Sequence, residues 1–264
     1  EGRFEDERKT CAVARTATDS HPGVNWFMSR RSLFVGLVVL VALVNVVNLL
    51  PLLNSPYLGD DAWCESTLKG LVELSGISLP SLCWNVVLDY VRDGRWYPAV
   101  VYYYPVFYYL DLYLYKVVTL LFILSNIGVF GYFVYVTTSS RSAGLIAALL
   151  PPVFFQLRFY HDPMLSYYFL MQVEFLLIVL SLTFFTLYLR GDNNRYLLGS
   201  LATYALSMLV YEAFYGFWVM HCVIAYYHFG RNQLNKAVRA VSPFLLLFVL
   251  NTCLILLIRH IFVV

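Results

Sequence analysis

Charge is what this chain of 264 residues has least of: Asp, Glu, Lys and Arg make up 13%, about half the roughly 25% of a soluble domain. Such a surface cannot be kept in water, and a 60% hydrophobic fraction excludes intrinsic disorder. Fourteen glycines without a period exclude collagen-like repeats, and five cysteines are too few for a disulfide-dense scaffold. There is no P-loop, dinucleotide fingerprint, nucleophile elbow, HExxH helix or zinc spacing among the cysteines. The basic N-terminal stretch is interleaved with Glu1, Glu5, Asp6 and Glu7, so nucleic-acid binding has no support. No Asn-x-Ser/Thr sequon occurs, which favours a bacterial inner membrane over an endoplasmic reticulum. What is present is apolar and aromatic residues, with mean hydropathy +0.68. The lipid bilayer is the chain's first partner.

Windows of about 20 apolar residues predict an all-α, polytopic helical bundle of about seven spans: 33–53, 114–136, 143–157, 164–189, 196–211, 214–229 and 241–261. The third and fifth are short, and Pro151-Pro152 interrupts the third, as in tilted or half-span helices. Residues 1–32 read as a disordered cytoplasmic tail and 33–264 as the membrane domain. The first span follows Arg30-Arg31 and carries no small-residue cleavage site, so it reads as an anchor. A start at Glu1 and an end directly after a span lead us to expect a fragment or processed chain, with more sequence after Val264.

With the N-terminus cytoplasmic, only Lys69, Arg92, Arg95, Lys116, Arg158 and Arg259 of the 18 basic residues fall outside, in keeping with the positive-inside rule. Asp60, Asp61, Glu65, Glu73, Asp89, Asp93, Asp111, Asp162 and Glu212 all fall outside. Function is therefore expected on the outer face. The first outer loop, 54–113, is too long for a connector and too apolar to float free. Its Leu and Val spacing over 65–93 predicts two amphipathic helices in the interface plane. The aromatic run from Tyr102 to Tyr109 reads either as a headgroup-level belt or as a stacking platform for a sugar.

Three polar clusters share this outer face: Gly59-Asp60-Asp61 after span one, Gln156 to Pro163 with Arg158, His161 and Asp162 after span three, and Tyr211-Glu212 after span five. An adjacent carboxylate pair raises one pKa and suits a general base or a metal ligand; the plain alternative is a solvated Gly-Asp turn. Arg158 offers a cation to phosphate, while His161 and Asp162 offer metal or hydroxyl ligands. With Asp93-Gly94-Arg95-Trp96-Tyr97-Pro98, these motifs resemble the GT-C superfamily of integral-membrane glycosyltransferases, in particular poorly characterised bacterial members. The match runs over nearly all of the chain after residue 30.

The resemblance implies transfer of a sugar from a polyprenyl-phosphate donor to a glycan, lipid or protein acceptor outside the cytoplasm. It implies Asp60 as general base with Asp61 beside it, and inversion at the anomeric carbon. Arg158, Arg95 and Lys116, from their charge, are candidates to meet the leaving phosphate, with His161, Asp162 and Glu212 completing the substrate site. A divalent metal, Mg or Mn, held by Asp60, Asp162 and His161 is compatible with the superfamily, some of whose members use one. The C-terminal spans and soluble outer domain that often recognise the acceptor have no counterpart here. A transporter or channel and a non-catalytic membrane subunit are the competing readings.

Several residues have structural explanations. Asp89, Arg92, Asp93 and Arg95 fit i,i+3 ion pairing on an exposed helix face. Lys116 would snorkel to the interface, and His221 and His228 read as packing residues. Glu174, deep in span four, calls for a buried partner or a functional role. A bridge between Cys64 and Cys83 would close a loop of about twenty residues and add roughly 3 kcal/mol, although spacing alone does not select it.

Overall fold

A computed structural model describes residues 30–57, 60–154, 168–210 and 212–262, and every regular element among them is a helix. The chain divides into two units between Val38 and Val39. The described part of the first is the opening of α1 (Arg30–Leu49), whose only charges are its two leading arginines. Its side chains from Leu33 to Leu40 are mostly exposed, as suits a helix solvated by lipid. The second unit holds the rest. A 3-10 turn, Leu50–Asn54, leads to α2 (Asp60–Ser75), α3 (Leu79–Arg92) and α4 (Val100–Tyr109). Then come α5 (Leu112–Thr138), α6 (Arg141–Phe154), α7 (Tyr168–Gly191) and α8 (Asn194–Ser207). A 3-10 segment, Glu212–Phe217, precedes α9 (Trp218–Phe229) and α10 (Leu234–Phe262).

Among the described residues, four stretches are long and apolar enough to cross a membrane: Ser32–Asn54, Leu112–Thr138, Leu170–Gly191 and Arg231–Phe262. The other three windows read as spans coincide with α6, α8 and α9, of 14, 14 and 12 residues. At about 1.5 Å per residue α8 and α9 reach roughly 21 and 18 Å, short of a hydrocarbon core of about 30 Å, while the window over α6 runs on to 155–157, outside the described residues. Hydropathy alone could not show this, because α8 ends without Gly or Pro. After Ser207 the backbone tightens into i→i+3 bonds, from Leu209 N–H to the Leu206 carbonyl and from Val210 N–H to the Ser207 carbonyl.

Two arginines tie distant helix ends together. Arg190, at the end of α7, donates from Nη2 to the Thr137 carbonyl and to Ser139 Oγ, both at 3.1 Å, so the loops after α5 and α7 share one side. Near the end of α10, Arg259 Nε donates to the Gly94 carbonyl at 2.9 Å, tying the last helix to the loop between α1 and α5.

Polar side chains join helices inside the bundle. Asn45 Nδ2 of α1 donates to the Ala148 carbonyl of α6 at 3.2 Å. Asn126 Nδ2 of α5 donates to both the carbonyl and Oε1 of Gln172 on α7, at 3.0 and 2.6 Å. The α5–α6 crossing is backbone-close: a Cβ on Gly131 would lie 2.9 Å from the Gly144 carbonyl oxygen, and one on Gly144 would lie 2.8 Å from that of Gly131. Ser181 and Ser200 exchange hydrogen bonds with each other's carbonyls at 2.8 and 2.7 Å, with His221 Nε2 3.0 Å from Ser181 Oγ. His221 is buried and stacks on Phe244 with centroids 4.0 Å apart, the packing role expected for it. His228 lies near the end of α9 against Phe229.

The long loop contains the helical pair its sequence predicts. α2 and α3 meet at 116° across Gly76-Ile77-Ser78, where Gly76 takes φ +66°, a left-handed turn that suits glycine. Taken as one broken span, the pair would raise the crossings from four to five. α3 buries one stripe, Leu79, Leu82, Cys83, Val87 and Val91, and α4 buries Val100, Tyr103, Tyr104 and Phe107. These spacings of three and four put each set on one helix face. All of these residues but Val91 join one core with Leu49, Leu52, Leu68, Tyr115 and Leu170.

Candidate functional site

α2 begins at Asp60-Asp61, and the second of these carboxylates is fully buried. Tyr103 Oη donates to Asp61 Oδ1 at 3.0 Å and Tyr115 Oη donates to Oδ2 at 2.7 Å. Tyr103 arrives there because it lies on the buried stripe of α4. Tyr115 occupies the first turn of α5, whose start is fixed by Asp111 accepting from the Leu114 N–H at 2.8 Å. Hydrogen bonds to a charged acceptor contribute about 1.5–3 kcal/mol each, against a desolvation penalty of several kcal/mol for the ion. Two phenols are thus about what is needed to hold this carboxylate in an apolar core.

Rings enclose the pair. Phe107 packs 4.8 Å from Tyr103, edge to face, and 4.9 Å from Tyr115. Tyr57 lies 5.2 Å from Tyr115 and 5.7 Å from Phe107. Burial, reinforced by the Asp61 carboxylate, raises the Tyr103 phenol far above its ordinary range, so it remains a protonated donor. Burial first, then the charges of Glu65, Asp61 and Asp111, pushes Tyr57 up to about 12.

Lys116 enters the same pocket. Its Nζ lies 5.6 Å from the Tyr115 ring centroid and 5.9 Å from that of Tyr57, within cation–π range. The side chain is fully buried, so it does not snorkel to the interface as expected. It points into the aromatic pocket because those ring faces offer its charge a better environment than lipid does. The aromatic run is likewise no simple belt. Tyr103, Tyr104 and Phe107 are interior, and of the run only the end, with Tyr109 at 72% exposure, fits that description.

The structure brings Asp61 and Lys116 together around Tyr115 and places Arg95 on a second aromatic platform. Its guanidinium lies 5.7 Å from the Tyr90 centroid and 6.0 Å from that of Tyr97, whose rings meet edge to face at 5.1 Å. Asp89 accepts from Arg92 Nη1 at 2.9 Å on the exposed face of α3, the i,i+3 pair expected from spacing. Cys64 and Cys83 are both buried thiols, and no disulfide joins them; each serves instead as a small apolar side chain in the same core as Tyr103 and Tyr115. Arg158, His161 and Asp162 lie outside the described residues, as do the side chains of Asp60 and Glu212. Among the described residues no group of three or more His, Cys, Asp and Glu side chains assembles as a metal site.

No protein family, curated protein or solved structure matches this chain.

The candidate site therefore stands on its own residues. Sequence reasoning missed Tyr103 and Tyr115. The one signal available was that a buried carboxylate requires donors, and nothing in spacing selects these two from 22 tyrosines. Glu174 is also fully buried, and neither of its carboxylate oxygens has a hydrogen-bond partner among the described residues.

Proposed function

We propose that this protein is a GT-C-like glycosyltransferase, using a polyprenyl-phosphate-linked sugar as donor on the extracytoplasmic face. The observation that carries the reading is the anchored acidic pair: Asp61 is clamped by Tyr103 and Tyr115 at the first turn of α2, immediately after Asp60. Burying a carboxylate with two dedicated donors is a poor way to gain stability, since apolar replacements of buried ionic groups are often as stable or more so. It is a good way to fix the first turn of a helix whose preceding residue must be held in one place.

In this reading Asp60 is the general base and Asp61 the positioning residue. The acceptor hydroxyl gives its proton to Asp60 as its oxygen bonds to the anomeric carbon. The bond from that carbon to the phosphate oxygen breaks, and polyprenyl phosphate leaves with the electron pair. Lys116 supplies positive charge near the anchored pair, and Arg158 and Arg95 serve the leaving phosphate. Asp61, buried and holding both phenols, is assigned to positioning and not to a metal. The oxygen and imidazole donors of Asp60, Asp162 and His161 suit Mg or Mn; bound there, the ion would neutralise charge on the departing phosphate. Glu212 is assigned to the acceptor side.

Glu174, a fully buried carboxylate within a candidate span, is what favours the competing transporter reading. The two are separated by sugar transfer measured on protein reconstituted in lipid. Asp60→Asn is expected to lower transfer by at least about 10²-fold with expression and thermal unfolding unchanged. Wild-type transfer rates in that variant would remove Asp60 from the role of base.

A further inference from the structure

We infer that the cleft between α2 and α3 binds one neutral pyranose ring of a saccharide acceptor; this rests on the glycosyltransferase reading and narrows its acceptor from glycan, lipid or protein to a glycan. The cleft has a volume of about 290 Å³, at the small end of the ~300–1,000 Å³ usual for ligand pockets, which suits a single ring better than a chain. It is built by two helix faces in register. Thr67 and Leu71 of α2 stand four residues apart on one wall, and Asp89, Tyr90 and Asp93 of α3 stand on the other, with Tyr104 of α4 also lining the cleft.

The lining chemistry selects the ligand. Asp89 is already paired with Arg92 at 2.9 Å, so the cleft lacks the uncompensated double negative charge that would capture a cation. With Arg92 on Asp89 and the Arg95 guanidinium 5.7 Å from the Tyr90 centroid, the two arginines balance Asp89 and Asp93, and the cleft recruits no anion by charge either. An acyl chain would leave Asp93 and Thr67 facing hydrocarbon without partners. A neutral polyol satisfies all of them: the carboxylates and the Thr67 hydroxyl accept from ring hydroxyls, while Tyr90, Tyr104, Leu68 and Leu71 cover the apolar C–H face of the ring. The cleft is sequence-encoded, because Thr67 and Leu71, like Asp89 and Asp93, repeat at i,i+4 and so share a face.

The test is saturation-transfer NMR on the full chain in nanodiscs, using the methyl pyranosides of glucose, galactose, mannose and N-acetylglucosamine as probes. At least one should bind in the range of about millimolar Kd. Leu71→Trp, which fills the cleft from a half-exposed position, should abolish the signal, and Asp93→Asn should weaken binding at least about tenfold. Leu74→Trp, the same change on the same helix at a site 91% exposed and outside the cleft, should leave it intact. Absence of binding by all four probes, or binding indifferent to Leu71→Trp, overturns the proposal. Contacts from nanodisc acyl protons that Leu71→Trp removes would also overturn it, by assigning the cleft to lipid. Binding and catalysis are read separately. Saccharide binding in a protein that transfers no sugar removes the enzymatic reading and leaves the cleft, whereas transfer without cleft binding does the opposite.

Discussion

Replacing Tyr115 by Phe removes one hydroxyl and nothing else. The ring that packs 4.9 Å from Phe107 and 5.2 Å from Tyr57 stays in place, while Asp61 loses the shorter of its two donors, at 2.7 Å. A hydrogen bond to a charged group contributes about 1.5–3 kcal/mol, and a fully buried acceptor has no water to take its place, so the upper half of that range applies. Tyr103→Phe, removing the 3.0 Å bond, should cost somewhat less. The pair should be coupled, because the second deletion leaves the carboxylate without either phenol. The assay is reversible unfolding in mixed micelles across a cycle of Tyr115→Phe, Asp61→Leu and the double variant. In the Asp61→Leu background, where the phenol has lost its acceptor, the Tyr115→Phe cost should vanish or turn into a gain. A Tyr115→Phe cost under about 0.5 kcal/mol in the wild type, or an undiminished cost in the Asp61→Leu background, would refute the anchored carboxylate.

Other expectations follow from neighbouring residues. The neutral Tyr57 phenol is favoured in the fold, with its pKa raised from 10.0 to about 12. Its contribution should be complete below pH 10 and lost as pH rises from about 10 to about 12. The difference in tyrosinate absorbance between wild type and Tyr57→Phe should titrate near the top of that window, and titration at the ordinary phenol value would contradict the burial. Gly131→Ala would set its methyl 2.9 Å from the Gly144 carbonyl oxygen and 3.0 Å from the Ala148 Cβ. It should destabilise the α5–α6 crossing by about 1–3 kcal/mol, read by the same unfolding assay; a neutral result would contradict the close approach. Glu174→Gln keeps shape and removes a buried ionisable group, so stability should hold or rise. A loss of several kcal/mol would instead mean that the carboxylate has a cation partner.

The membrane class, the four long helices and the two helices of the outer loop were legible because each is written in local apolar periodicity. The reach of the shorter helices was not. α8 is cut short where the backbone tightens after Ser207, and no residue in it announces that. Asp60-Asp61 stood out because a carboxylate pair beside a span is costly. The use of Asp61 was hidden, because its donors lie 42 and 54 residues away and are set by the packing of α4 and α5. Lys116 shows the same limit. At the start of an apolar helix a lysine reads as snorkelling, and only the position of the Tyr57 and Tyr115 rings makes the interior the better environment for it.

The central claim is chemical and is met most directly by incubating the reconstituted full chain with polyprenyl-phosphate-linked sugars and a glycan acceptor and measuring release of free polyprenyl phosphate. Release that depends on the acceptor, and that Asp60→Asn abolishes, is the predicted result. No release from any of the donors, or release at the same rate from Asp60→Asn, would contradict it.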